Sequence, residues 1–379
     1  LKDIALSGLV GEERNAMIAY ITYTGRKREK PLHIMCLGVS GSGKTYLQEK
    51  IGELIPEEDK LEITMLSENA FYYFGKEELK HKLILIEDLD GAENVLYPLR
   101  ELQSKRKISK TVTLKDNKGN LKTITLEVNG PVSVSSCTTK EKIYEDNANR
   151  CILLYIDAGK TQDKRISDYQ KAESAGKVNY RSENQIKDRF KNIQRTLKPI
   201  NVVNPYAQLI DLPEEVFKPR RTLTMLLSFI ETITYYHQYQ RTIKAGTETR
   251  GRYIKSTVAD VEHGFRLMRD VLFRKSDELS GACRSFFEEL KEYVSSEGLP
   301  KEEPTFYKRE IRAHLRMNPN NLKRYLRELL AYGHIKVTGG SKYRGYEYSM
   351  VNEAEYNELK EKIDQQLEVI LQKIRALNL

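Results

Sequence analysis

From Pro31 onward the chain alternates short, largely apolar runs with longer segments of mixed character. His33–Leu37, Leu83–Ile86, Pro131–Ser136 and Ile152–Ile156 have the length of buried strands. Between them, Tyr46–Leu54 and Val95–Leu102 carry helical spacing. Strands alternating with helices predict an α/β fold built on a parallel sheet covered on both faces. Ahead of this region Leu9–Ala19 reads as a helix, followed by a polar and basic stretch, Gly25–Lys30. Within the alternation, period-two runs at Thr111–Lys115 and Leu121–Val128 flank Asp116-Asn117-Lys118-Gly119-Asn120. Turn-forming residues between two such runs predict a β-hairpin.

Downstream the texture changes. Residues 158–205 are rich in Lys, Arg, Gln and Asn and predict helices or loops outside the core. Helical spacing returns at Arg221–Arg241 and Val258–Lys275. From about Arg284, three helices are expected at Ser285–Ser295, Tyr307–Leu315 and Asn320–Tyr332. A small hairpin follows, His334–Thr338 and Tyr346–Met350 around a Gly339–Gly345 loop, and the set makes a winged-helix pattern. Glu353–Leu377 closes as a helix. Asn352 with Glu355 three residues on is a capping-box pattern, and Leu359, Ile363, Leu367, Ile370, Ile374 and Leu377 form an apolar stripe. The expected organisation is an α/β core over 1–157 with its hairpin at 108–128, a linker and helical lid over 158–282, a winged helix over 283–350, and a C-terminal helix over 351–379. No internal repeat is visible.

At 379 residues the chain has room for two or three domains. With 39% hydrophobic and 31% charged residues it reads as globular, neither disordered nor fibrous. The formal charge of +9 favours a polyanionic partner without identifying one. No apolar run approaches the ~18–20 residues that span a bilayer, so a membrane is not an expected partner. Cys36, Cys137, Cys151 and Cys283 are scattered, with no Cys-x-x-Cys pair. A disulfide framework and a zinc cluster are therefore not expected, and the pattern fits a reducing cytoplasm. The sequence opens at Leu1 without Met and without a signal-peptide stretch, which suggests a piece of a longer protein.

Chemistry enters at Gly38-Val39-Ser40-Gly41-Ser42-Gly43-Lys44-Thr45, a complete G-x-x-x-x-G-K-[ST] motif between an expected strand and an expected helix. Its glycines let backbone N–H groups curl around phosphate oxygens, at a helix N-terminus whose dipole favours negative charge. Gly38, Ser40, Gly41, Ser42 and Gly43 are the expected cradle for ATP. Lys44 is expected at the β- and γ-phosphates, and the Thr45 hydroxyl on Mg²⁺. About forty residues on, Leu83-Ile84-Leu85-Ile86-Glu87-Asp88 supplies the acidic strand end that such a site requires. The usual order is Asp then Glu. Two readings stay open: the longer Glu87 takes the metal and Asp88 the attacking water, or the register is shifted by one.

This layout resembles the AAA+ ATPases, and within them the minichromosome-maintenance (MCM) type of ring helicase, over roughly Pro31 to Lys275. The resemblance implies that Ile108–Val128 is a hairpin projecting into the channel of a hexamer to touch DNA. Lys118 at its tip, with Lys115 and Lys122 beside it and Lys105, Arg106, Lys107 and Lys110 nearby, suits phosphate contact. It further implies a sensor-1 role for Thr138, where the family commonly has Asn, an arginine-finger role for Arg150, and a sensor-2 role for Arg221. No counterpart of the family's long N-terminal DNA-binding domain is expected within these 379 residues. The chain looks more like the MCM-like replicative helicases of bacterial mobile elements. The run from Asn204-Pro205-Tyr206-Ala207 through Lys218-Pro219-Arg220-Arg221, with Tyr235-Tyr236-His237-Gln238, looks like proteins in which a primase-type domain precedes such an ATPase.

On the winged helix, Lys323, Arg324 and Arg327 of the third helix and Lys342, Tyr343 and Arg344 of the wing suit DNA contact. His237 and His263 have no metal partners at ligand spacing, and Tyr72, Tyr73, Tyr235 and Tyr236 read as packing residues. Two functions are expected to compete. One is a hexameric, ATP- and Mg²⁺-dependent helicase or translocase acting on single-stranded or forked DNA. The other is an AAA+ DNA-binding regulator or initiation factor that uses ATP for assembly.

Overall fold

Leu83-Ile84-Leu85-Ile86 has no polar side chain to turn toward water, and it forms a strand buried on both faces. Ile34–Leu37 does the same. A computed structural model describes residues 2–38, 40–64, 67, 69–89, 96–115, 121–139, 149–157, 159–212, 216, 219–246, 251–274, 279, 281–296, 305–341, 345–351 and 354–377. The chain divides into two compact units, Leu1–Leu272 with Leu367–Leu379, and Phe273–Gln366.

The first unit opens with α1 (Lys2–Ala5) and α2 (Glu13–Thr24) and enters its sheet at β1 (Ile34–Leu37). Next come α3 (Lys44–Gly52), β2 (Lys60–Ile63), β3 (Leu83–Ile86) and α4 (Leu96–Lys105). β4 (Lys107–Lys115) and β5 (Leu121–Asn129) form a separate antiparallel pair, before β6 (Ser133–Thr138) and β7 (Ile152–Tyr155) return to the sheet. All five sheet strands are parallel, in the order β2-β3-β6-β1-β7. β1 thus lies between strands that follow it much later in the chain. In open α/β sheets, ligands bind beyond the carboxyl ends of the strands at such a switch point.

The pleat sorts the side chains. Met35, Leu37, Ile84, Ile86, Val132 and Val134 share one core with Leu99, Leu102, Ile108 and Val128. On the opposite face, β6 turns hydroxyls and a thiol toward α3: Ser135 Oγ and Cys137 Sγ donate to Gln48 Oε1 at 3.1 and 3.2 Å. Ser133 Oγ donates to the Leu32 carbonyl at 2.7 Å. A strand this rich in serine stays buried because its hydroxyls find partners.

Three expectations shift. The helix expected at Leu9–Ala19 is shifted along the chain to Glu13–Thr24. Gly11 and Glu12 hold left-handed φ values of 68° and 55°, which set its start, and α2 runs on through the buried residues Tyr20–Tyr23. The fifth strand, β2, was not expected, because Lys60-Leu61-Glu62-Ile63 is half polar and serves at a sheet edge. Residues 158–205 are not all outside the core. They hold α5 (Lys160–Ser174), α6 (Tyr180–Thr196) and β8 (Asn201–Val203), and α6 buries Phe190 and Gln194.

α7 (Pro219–Tyr236) packs on α2; β9 (Tyr253–Lys255) pairs with β8, and α8 (Val258–Arg274) follows. His237 Nδ1 lies 3.4 Å from Asp260 Oδ1, and Arg241 donates to the same oxygen at 2.7 Å. Tyr235 is buried, whereas Tyr73 is exposed. The four cysteines are buried free thiols.

The second unit contains α9 (Gly281–Ser296), β10 (Thr305–Tyr307), α10 (Lys308–Leu315), α11 (Pro319–Ala331), β11 (Ile335–Ser341) and β12 (Gly345–Met350). Its sheet order is β10-β12-β11, and its core gathers Phe286, Phe287, Phe306, Ile311, Leu322, Leu326 and Tyr348. Asn318 caps α11 by accepting from Asn320 N at 2.9 Å, with Pro319 at the first helical position. α12 (Ala354–Ala376) buries Ile363, Leu367, Ile370 and Ile374, while Leu377 past its end is exposed. Asn352 lies outside the described residues. Among the described residues, no helix is long and apolar enough to cross a membrane.

Candidate nucleotide site

The phosphate loop leaves β1 at its carboxyl end and enters α3 within six residues. Gly41 and Gly43 hold φ values of 79° and 93°, and nothing lies within 4 Å of where a Cβ would stand. Left-handed φ, not crowding, therefore reserves these positions for glycine. Lys44 is buried and its Nζ donates to the Gly38 carbonyl at 3.0 Å, folded over its own loop. Ser42 Oγ is buried without a hydrogen-bond partner. An orphaned hydroxyl beside a buried ammonium and left-handed glycines fits a phosphate-bearing ligand. Thr45 stands in the first turn of α3, and Val39 lies outside the described residues.

Register brings the other strand ends level with this loop. Leu37 pairs with Thr138 of β6, and Ile86 of β3 with Ser136. Extending that pairing sets Glu87 beside Cys137 and Asp88 beside Thr138, and Leu89 N donates to the Cys137 carbonyl at 2.9 Å. β3 and β1 flank β6, so the carboxylates and the loop are two strand spacings apart, roughly 10 Å.

The alternation of side chains also divides the acidic pair. Glu87 follows Leu83 and Leu85 on the α3 face, and its backbone N–H continues the ladder to the Ile63 carbonyl at 3.0 Å. Glu49 of α3 has its pKa raised, first by burial and next by the Glu87 charge. Asp88 shares the parity of Ile84 and Ile86, with buried Thr138 on the same side, and is itself exposed.

Arg150 is elsewhere. Ile152 pairs with Ile34, so Arg150 stands level with Leu32 at the amino-terminal end of the sheet. Its Nε donates to Ser104 Oγ at 2.8 Å, and its charge helps lower the pKa of buried His33. Six residues of strand separate Leu32 from Gly38, roughly 20 Å. Arg150 therefore cannot reach the phosphate loop of its own subunit. Arg221 is exposed on the first turn of α7 and makes no hydrogen bond or ion pair among the described residues.

One neighbour of the site was not read from the sequence. The Tyr46 hydroxyl donates to the Gly8 carbonyl at 2.9 Å, and Glu12 accepts from Asp157 N at 2.6 Å. These bonds hold residues 8–12 against the start of α3 and the end of β7. The left-handed pair Gly8 and Gly11 was the available signal.

Lys115 and Lys122 are exposed near the open end of the β4–β5 pair, whereas Lys118 lies outside the described residues. Nearer its base the basic residues are engaged. Lys105 pairs with Glu101 at 2.6 Å, Lys107 with Glu127 at 2.7 Å, and Lys110 donates to Asn69 at 2.6 Å. On α11, Lys323, Arg324 and Arg327 are exposed, with Arg324 lying 4.9 Å from the Tyr325 ring centre. Lys342, Tyr343 and Arg344 lie outside the described residues.

A family model described as the MTBMA_p00010 P-loop domain matches residues 9–199, half of the chain. The match runs from the turn before α2 to just past α6, and covers the whole five-stranded sheet. No curated protein matches the chain.

Proposed function

The chain belongs to the MTBMA_p00010 P-loop domain family, and we propose that this P-loop NTPase is an ATP-driven DNA motor of the MCM-like AAA+ type. In this reading it works in the cytoplasm as a hexameric ring, as a helicase or translocase in the replication of a mobile element, and alongside a primase-type partner. The observation that carries the reading is the pair of nine-residue strands β4 and β5 with exposed Lys115 and Lys122, inserted between β3 and β6. A ribbon of that length does not complete the sheet, and its exposed lysines suit a phosphate backbone.

Each side chain then has a task. The loop N–H groups and Lys44 hold the triphosphate. Thr45 and Glu87 are the residues that would hold Mg²⁺, which would supply charge neutralisation for phosphoryl transfer. Glu87 is assigned to the metal because its parity directs it to the α3 face. Asp88 orients the attacking water beside Thr138. Arg150, too far from its own loop, serves the γ-phosphate of the neighbouring subunit, and Arg221 also acts across that interface. The second unit is read as a winged helix, with Lys323, Arg324 and Arg327 toward DNA.

Electron microscopy with a non-hydrolysable ATP analogue and forked DNA tests the proposal. A closed six-fold ring, with strand separation when ATP replaces the analogue, is the expected result. An open filament without unwinding would instead support a regulator that uses ATP for assembly.

A further inference from the structure

At the end of the sheet opposite the phosphate loop, the first unit has a cavity of about 820 Å³. It is framed by the segment leading into β1, by β8 with the residues before it, and by the end of α7. Five cations line it, Lys27, Arg28, Lys30, Lys198 and Arg252, against two carboxylates, Glu29 and Glu231. Two of the cations have acidic partners: Arg28 pairs with Glu231, and Lys27 lies 3.6 Å from Asp59. Lys30, Lys198 and Arg252 are exposed and have no acidic partner among the described residues. Lys27 has its pKa lowered, first by burial and then by the Arg26 charge.

The same cleft displays apolar surface. Tyr239 is 61% exposed and Ile243 53% exposed. The Tyr239 hydroxyl is tied to the Thr196 carbonyl, so its exposed ring is held in place. Unpaired cations around a fixed, uncovered aromatic ring are the two components of single-strand recognition: phosphate contact and base stacking. The cleft also adjoins the β4–β5 pair. Arg106, the residue before β4, donates to the Glu29 carbonyl at 3.1 Å.

We propose that this cleft binds a stretch of single-stranded DNA, with phosphates on Lys30, Lys198 and Arg252 and a base stacked on Tyr239. The choice of DNA as occupant rests on the motor reading and on this continuity with the β4–β5 pair. Three exposed cations around the cleft suit successive phosphates of one strand, and the exposed Tyr239 ring suits a base of that strand.

The test measures binding of a fluorescein-labelled oligothymidylate by anisotropy over a range of salt concentrations. Each lost phosphate contact makes the log–log salt slope shallower by about 0.7 for single strands, so the Lys30→Ala/Lys198→Ala/Arg252→Ala variant should lose about 2. Tyr239→Ala should weaken binding roughly tenfold or more. Folding of both variants is checked by circular dichroism, and 5-iododeoxyuridine cross-linking of the wild type should mark Tyr239. A wild-type salt slope in the triple variant, with no cross-link to Tyr239, overturns the proposal. A Lys115→Ala/Lys122→Ala variant separates the two readings. Loss there alone keeps the hairpin reading and rejects the cleft, and loss in the cleft variants alone does the reverse. Failure of the wild type to bind the oligonucleotide overturns both. Labelled ATP that binds in Lys44→Ala but not when Lys44→Ala is combined with the three cleft substitutions would assign the cleft to a free nucleotide and overturn the proposal.

Discussion

Lys44 puts a buried ammonium inside a loop of N–H donors, and its Nζ is already turned onto the Gly38 carbonyl. On the proposed reading, Lys44→Ala removes the cation held at the transferring phosphate. Phosphate release should fall by roughly 10²–10³-fold, the usual cost of losing one preorganised group that stabilises developing charge. The acidic pair should divide. Asp88→Asn keeps nucleotide binding and loses turnover, whereas Glu87→Gln raises the Mg²⁺ concentration needed for half-maximal rate; the reverse pattern would mean a register shifted by one. His33 offers a pH test. It is buried, its Nδ1 accepts from Val134 N at 3.2 Å, and burial is the main cause of a pKa near 4. Folding thus favours neutral imidazole. Its contribution is present above the ordinary pKa of about 6.5 and is lost as pH falls toward 4, at most of order 3 kcal/mol. The urea midpoint should therefore drop between pH 7 and 5, and the drop should shrink in His33→Asn.

At the scale of elements, α6 shows two kinds of attachment. Lys187, Lys191 and Arg195, four residues apart, reach Glu53, Glu57 and Glu58 at 2.6, 3.1 and 2.7 Å. Glu57 and Glu58 are mostly exposed, so such pairs are worth at most about 1 kcal/mol each. On the inner side, Gln194 is fully buried, accepting from Arg26 at 2.7 Å and donating to Thr24 at 2.7 Å. The Phe190 ring meets Tyr20 edge-on at 5.1 Å. Arg26, also fully buried, pairs with Asp59. Removing one partner of a buried pair strands the other charge, which costs about 3–5 kcal/mol. Asp59→Ala should therefore lower the unfolding free energy by that amount, whereas Lys191→Ala should change it by less than about 1 kcal/mol. Equal effects in denaturant titrations would reject this division.

For the whole molecule, the roughly 20 Å between Arg150 and its own phosphate loop turns a question of residue role into one of assembly. An arginine supplied in trans accelerates phosphoryl transfer by about 10³–10⁵ in other systems. Arg150→Ala should bind ATP normally and hydrolyse it poorly. Mixed with Lys44→Ala, it should regain activity above the sum of the two, because some interfaces combine an intact loop with an intact arginine. Co-assembly without recovery would show that Arg150 does not serve a neighbour.

Much of the candidate phosphate loop was legible because it is local. The left-handed glycines, the lysine after them, and the apolar runs of β1 and β3 are written in consecutive residues, and backbone sterics and burial act on them directly. What tertiary structure decided is what depends on pairing between distant segments. The order β2-β3-β6-β1-β7 sets Thr138 level with the end of β1 and sends Arg150 to the opposite end of the sheet. Half-polar Lys60–Ile63 becomes a strand because β3 offers an open edge, and Gln194 in a polar helix is buried because Arg26 needs a partner there. Neither Lys30, Lys198 and Arg252 nor the ring of Tyr239 forms a motif in the chain. Only the packing of β8 and α7 beside the start of β1 brings them around one cleft. Local conformation follows from a few neighbouring residues, whereas such meetings follow from which faces remain to be buried once the strands have paired.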